Sequence, residues 1–200
     1  MDLGKLGVWY FLDGLSTEDS IRTAQKIESL GYGALWLPET VGKDPLTTSS
    51  LLLSVTTKLN LATGIVNIYH REPGVMLAAQ KTLAEQSQNR FILGMGVSHK
   101  PLVEGVRGLE YGPPVKTMRD YLSKMEASPY TGIASSEKPT TLIAALGPKM
   151  LELAAEKTDG AHPYFTSPEH TEFARKILGK DKKLCVEQKV MLEPDLPKAR

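Results

Sequence analysis

Three of the chain's four histidines, His70, His99 and His162, sit at or near the ends of short apolar runs. An imidazole titrates near neutral pH, so such a position can hold or release a proton during a reaction. The stretch Leu61–Pro73, LATGIVNIYHREP, concentrates the pattern: mostly apolar residues to Val66 give way to Asn67, Tyr69, His70, Arg71 and Glu72. A buried strand that empties polar side chains into a short loop before a helix is how a parallel α/β sheet builds a site. Gly64 lies where pairing should be strongest and marks a bulge or a close approach of backbone. Gly94-Met95-Gly96 leads in the same way into Val97, Ser98 and His99, although tight packing of strand on helix explains those glycines equally well. Ala145-Leu146-Gly147-Pro148 runs straight into a helix, whose free N–H groups favour a phosphate; a plain turn accounts for it as well. Glu39 and Thr40 close a further apolar run. No HExxH, cysteine cluster or GxSxG is present, so neither a metal centre nor a serine hydrolase is expected.

The elements that must position these residues alternate. Strands are expected over Leu6–Phe11, Ala34–Leu37, from Leu61, over Phe91–Met95, Thr141–Ala145, Ala161–Phe165 and Cys185–Leu192. Helices intervene: one follows Ser16, with Asp19 as its capping partner, and others open at Pro45, Pro73, Gly147-Pro148 and Pro168. Another helix has Val115, Met118, Leu122 and Met125 on one face, and Asp195–Arg200 starts a last one. The stretch after His99, with Gly105, Gly108, Gly112, Pro113 and Pro114, reads as a long irregular segment. Trp9 and Trp36 read as core. Strict alternation predicts a parallel sheet with outer helices, either an open doubly wound sheet or a closed (β/α)8 barrel. The missing GxGxxG after the first strand and the lack of a half-way reversal favour the barrel. A barrel usually needs about 250 residues. The 200 residues are therefore expected to form one domain over 1–200 that lacks the last unit.

A formal charge of +1 gives no reason to expect nucleic acid, and no apolar run approaches a membrane span. One cysteine, Cys185, excludes an internal disulfide and fits a reducing cytoplasm. Open sheet edges invite pairing with another chain, and a homodimer is the expected assembly.

GYGALWLPE, LATGIVNIYHREP, RFILGMGVSH and AALGPKMLELAAEKTDGAHPY together resemble the luciferase-like monooxygenase superfamily, and within it the actinobacterial branch of F420-dependent oxidoreductases. The resemblance runs from about Leu6 to Leu192. It implies a (β/α)8 barrel that binds F420, or alternatively FMN, at the C-terminal strand ends and acts on a small organic substrate. It implies a third-strand bulge with a non-prolyl cis peptide at Gly64-Ile65 behind the flavin-type ring, with Asn67 following. Gly96, Val97 and Ser98 are implied to hold the cofactor, and Ala145, Leu146, Gly147 and Pro148 to lie on its phosphate side. His99, Glu39 and His70 are the candidate catalytic residues, His99 nearest the chemistry. Relatives that oxidise sugar phosphates carry an Asp-His pair where this chain has Glu39-Thr40, and a Glu near His99; that difference argues against a sugar phosphate.

Overall fold

The computed structural model describes residues 3–199. Eight short strands form one wholly parallel sheet: β1 (Gly7–Trp9), β2 (Ala34–Leu37), β3 (Asn60–Thr63), β4 (Val66–Asn67), β5 (Phe91–Gly96), β6 (Thr140–Ile143), β7 (Gly160–Ala161) and β8 (Lys183–Leu184). The order is β1-β2-β3-β5-β6-β7-β8, and β4 pairs with β5. β3 and β4 are two halves of one strand, broken at Gly64-Ile65. Seven barrel positions are therefore filled, and the sheet curls as part of a (β/α)8 barrel. Among the described residues β1 and β8 do not pair, so the sheet keeps two edges.

Helices α1 (Thr17–Ser29), α2 (Pro45–Ser54), α3 (Pro73–Gln86), α4 (Pro114–Ala127), α5 (Pro148–Lys157), α6 (Pro168–Leu178) and α7 (Leu196–Ala199) alternate with the strands. Local chemistry sets their starts. Ser16, Asp44, Glu72 and Ser167 each accept a backbone N–H from the first turn of α1, α2, α3 and α6. Proline opens α2 to α6, where its missing N–H costs nothing. The outer core lies between sheet and helices around Leu35, Leu61, Phe91, Leu93, Met118 and Leu151. The interior of the curl holds Ala34, Trp36, Ala62, Ile92 and Leu142. Residues two apart on β2 and on β3–Gly64 share that inner face, as the strand period requires.

Most strands are shorter than the sequence suggests, and two need correction. The seventh, expected over Cys185–Leu192, pairs only at Lys183–Leu184, with one further bridge from Glu187 to Tyr164. Among the described residues no strand lies beyond it to pair its other side, and Val190, Met191 and Leu192 stand in solvent. The sixth shrinks to Gly160–Ala161, paired with β6 on one side and with the short β8 on the other. The irregular segment contains a π-helical turn, Pro101–Val106. Arg200 of the expected last helix lies outside the described residues.

Candidate functional site

The peptide bond Gly64-Ile65 is cis, as the resemblance implies. Around it three glycine positions make room. At Gly94 a Cβ would fall 1.9 Å from the Thr63 carbonyl oxygen. At Gly96 a Cβ would fall 2.7 Å from Ile65 Cδ1. These two glycines thus accommodate the broken strand itself, and Thr63 fastens it by exchanging side-chain hydrogen bonds of 2.8 and 2.9 Å with the Gly94 backbone. At Gly64 a Cβ would meet His162 Nε2 and Trp9 Nε1, each at 3.0 Å. The Trp9 indole N–H donates to the Gly64 carbonyl at 2.8 Å, reaching from β1 across to the third barrel position.

Behind the bulge sits a charged lattice. Glu39, buried at the end of β2, accepts the Asn67 N–H on one oxygen (2.6 Å) and Arg71 on the other (2.6 Å). Arg71 also pairs with Asp44. Burial alone would lower the affinity of Arg71 for its proton, but Glu39 and Asp44 outweigh it and hold the guanidinium charged. The Asn67 side-chain oxygen accepts the Tyr69 N–H at 3.0 Å, which fixes its amide orientation. Its NH2 group therefore donates to His70 Nε2 (3.1 Å). The His70 proton then belongs on Nδ1, which faces Glu39 at 3.4 Å.

In front of the bulge a cavity of about 670 Å³ opens at the C-terminal ends of the strands. That volume lies in the usual range for a cofactor or ligand site. It is the end of a barrel at which chemistry is placed. Glu39, Gly64, Ile65, Gly96, Val97, Ser98, His99 and Ala145–Pro148 all line it. Asn67 and His70 do not, which corrects the sequence expectation: Asn67 is fully buried as the cap of the following turn, and His70 faces a separate hollow beside Arg71. The inward-pointing residues of the bulge are Gly64 and Ile65, and one strand period places the lattice on the other side.

The loop after β5 is held from outside. Ser98 takes a left-handed backbone, φ 56°, and its carbonyl accepts the Tyr111 hydroxyl at 3.2 Å. Tyr111 stacks on Tyr69, whose own hydroxyl accepts the Gly112 N–H at 2.9 Å. His99 stands exposed at the rim; its carbonyl starts the π-helical turn by accepting from Leu102 and Val103. Its imidazole makes no hydrogen bond to the described residues. Across the cavity, α5 begins at Gly147-Pro148 with no side-chain cap, and Lys149 lies beside it. An uncapped helix start and an adjacent ammonium favour an anionic group.

Two residues enter the site that the expected set left out. His162, 4% exposed, donates Nδ1–H to the Cys185 carbonyl (2.7 Å), since that carbonyl can only accept. Its Nε2 carries a lone pair with no protein partner, and burial pushes its proton affinity down despite the Cys185 bond. The ring stacks on Trp36 at 4.6 Å. Trp9, read as core, lines the cavity instead. The signal for both was present: each stands one inward period from the interior residues of its strand.

A flat ring system with an anionic tail fits these residues. Gly64 and Gly96 put no side chain of their own into the cavity, Ile65 filling the space at Gly96, and the α5 start offers donors to the tail. The profile of the family described as luciferase-like monooxygenase matches residues 12–178. A Mycobacterium tuberculosis protein described as a candidate coenzyme F420-dependent oxidoreductase is 29% identical over 199 residues, covering 84% of this chain and 56% of that protein. A 5,10-methylenetetrahydromethanopterin reductase of Archaeoglobus fulgidus is 28% identical over 165 residues, covering 74% of this chain and 49% of the relative. The chain thus spans about half the length of these curated relatives. Among solved structures, an F420-dependent secondary alcohol dehydrogenase superposes with a TM-score of 0.79 at 16% identity, covering 96% of this chain and 71% of that one. At that identity the likeness speaks for the fold. Among the described residues no helix is long and apolar enough to cross a membrane.

Proposed function

Because this chain belongs to the luciferase-like monooxygenase family, we propose that it is an oxidoreductase that moves hydride between coenzyme F420 and a small organic substrate. The observation that carries the reading is the convergence, on one cavity, of the Gly64-Ile65 bulge, the β5 loop and the uncapped start of α5. A bound deazaflavin supplies the hydride chemistry. The residues supply the rest. Gly64 and Ile65 would back the ring, with Gly96, Val97 and Ser98 along its edge. Ala145, Leu146, Gly147 and Pro148 would face the tail, with the α5 N–H groups and Lys149 offsetting its charge. His99, free of protein partners at the rim, would take or give the proton that accompanies hydride transfer. Glu39 has both oxygens engaged and acts by holding the bulge through Asn67 and Arg71. His70 and Asn67 support the same lattice from behind.

The test is a titration of the purified chain with F420 and with FMN, read by cofactor fluorescence. Saturable binding of F420 tighter than FMN supports the proposal. Preference for FMN, with oxygen uptake when it is reduced, would replace it with a flavin monooxygenase. His99→Ala should lower turnover about a hundredfold with F420 affinity kept, the lower end of what general acid-base catalysis contributes. Unchanged turnover removes His99 from the chemistry.

A further inference from the structure

The two halves of the cavity wall differ in chemistry. The half built from the β5 loop and the start of α5 is backbone-rich and carries Lys149, the one cationic lysine or arginine among the described lining residues. The opposite half is aromatic. Trp9 packs edge-on against Phe11 at 4.9 Å, and Tyr164, from the segment after β7, approaches Trp9 to 6.3 Å. Phe11 and Tyr164 remain 45% and 44% exposed, so an apolar surface is left uncovered beside the bulge.

No unengaged charge faces that surface from the lining. Glu39 is held by Arg71 and the Asn67 N–H. His162 is buried and held neutral. Lys189 lies 5.2 Å over the Tyr164 ring and 4.8 Å over Phe165, but it does not line the cavity. A carboxylate or phosphate moved against this wall would lose water and gain no partner among the lining side chains, a cost left largely uncompensated. An apolar body would gain by covering three aromatic faces.

We infer that the substrate is an uncharged compound with a ring-bearing apolar body that seats against Trp9, Phe11 and Tyr164. This rests on the F420 reading only in that the opposite half of the wall is then taken by the cofactor. Anionic substrates are selected against by the wall and by the use of Lys149 on the cofactor side.

Two probes share one body and differ in charge: cyclohexylmethanol and cyclohexanecarboxylate. Their affinities are measured by calorimetry on the chain with and without F420, and F420 binding is read separately by its fluorescence. The alcohol should bind at least about tenfold tighter than the carboxylate, and Phe11→Ala should weaken it about tenfold, the scale of one partly buried aromatic ring. Phe11→Leu should restore most of that loss. Tyr164→Ala serves as the second variant if Phe11→Ala does not fold. Equal or tighter binding of the carboxylate overturns the inference, as does unchanged alcohol affinity in both alanine variants. Failure to bind F420 overturns the function reading alone, because the probes still report on the wall in the cofactor-free chain.

Discussion

The two ends of this sheet are built on opposite rules. At the N-terminal ends of the strands, charged side chains are saturated with backbone partners. Arg90 donates to the carbonyls of Leu53, Thr56 and Leu59. One oxygen of Glu28 accepts the N–H groups of Thr57, Lys58 and Leu59. Burial opposes ionisation of Glu28, but those three donors prevail and keep its carboxyl below the usual range. Asp159 accepts the Thr141 N–H at the start of β6. At the C-terminal ends, His162 Nε2 and one nitrogen of Arg71 are buried without a protein partner, and the exposed His99 imidazole makes no hydrogen bond to the described residues. Saturation fixes loops, and His162 Nε2, which lines the cavity, is left available to a ligand. The contrast separates what holds this barrel together from what it works with.

That contrast can be broken from either end. The largest effect is expected from Arg90→Ala, which strands three carbonyls that are shielded from water. It should lower unfolding stability by about 2 kcal/mol in chemical denaturation, as loss of the charge-assisted hydrogen bonds of a half-buried guanidinium does, and leave F420 affinity unchanged. Gly64→Ala should do the reverse. Its Cβ meets two rings at 3.0 Å, so about 1–2 kcal/mol of stability is lost to overpacking while F420 binding falls by tenfold or more. Equal loss of binding in both variants would mean that the two ends are not separable.

A smaller effect lies in pH. The folded-state proton affinity of His162 is depressed, so its contribution to stability is complete above the unfolded value of about 6.5. As pH falls below that value the unfolded chain takes up a proton that the fold refuses. Stability should then drop by at most about 1.4 kcal/mol per pH unit until the folded imidazole also titrates. His162→Phe should flatten the slope between pH 6.5 and 5; an unchanged slope would place the titrating group elsewhere. The smallest effect is kinetic. Burial pushes the Cys185 thiol up to about 11, so iodoacetamide should label it far more slowly than a free cysteine at pH 8.

Much of this arrangement is legible in the sequence. The bulge is readable because Gly64 interrupts an otherwise buried strand, and the starts of α1 to α6 because a proline, a capping side chain or both stand at each. What could not be read is what spacing does not encode. Asn67 and His70 share a polar cluster with Glu39 in sequence character, yet the period of the strand turns them behind the bulge. His162 is legible in the sequence as a histidine near a strand end, but only the packing of Trp36 and the carbonyl of Cys185 show that one nitrogen is fixed and the other unpartnered. The seventh strand failed as a reading because pairing is a property of neighbours.

The Trp36–His162 stack has an optical consequence. The rings lie 4.6 Å apart and 9° from parallel, with the imidazole neutral. Protonation would set a cation on the indole face, an attractive arrangement that also quenches emission. The chain has two tryptophans, and Trp9→Phe would leave Trp36 as the single emitter. Its brightness would then record the arrival of one proton in the barrel interior, with no cofactor bound and no turnover required.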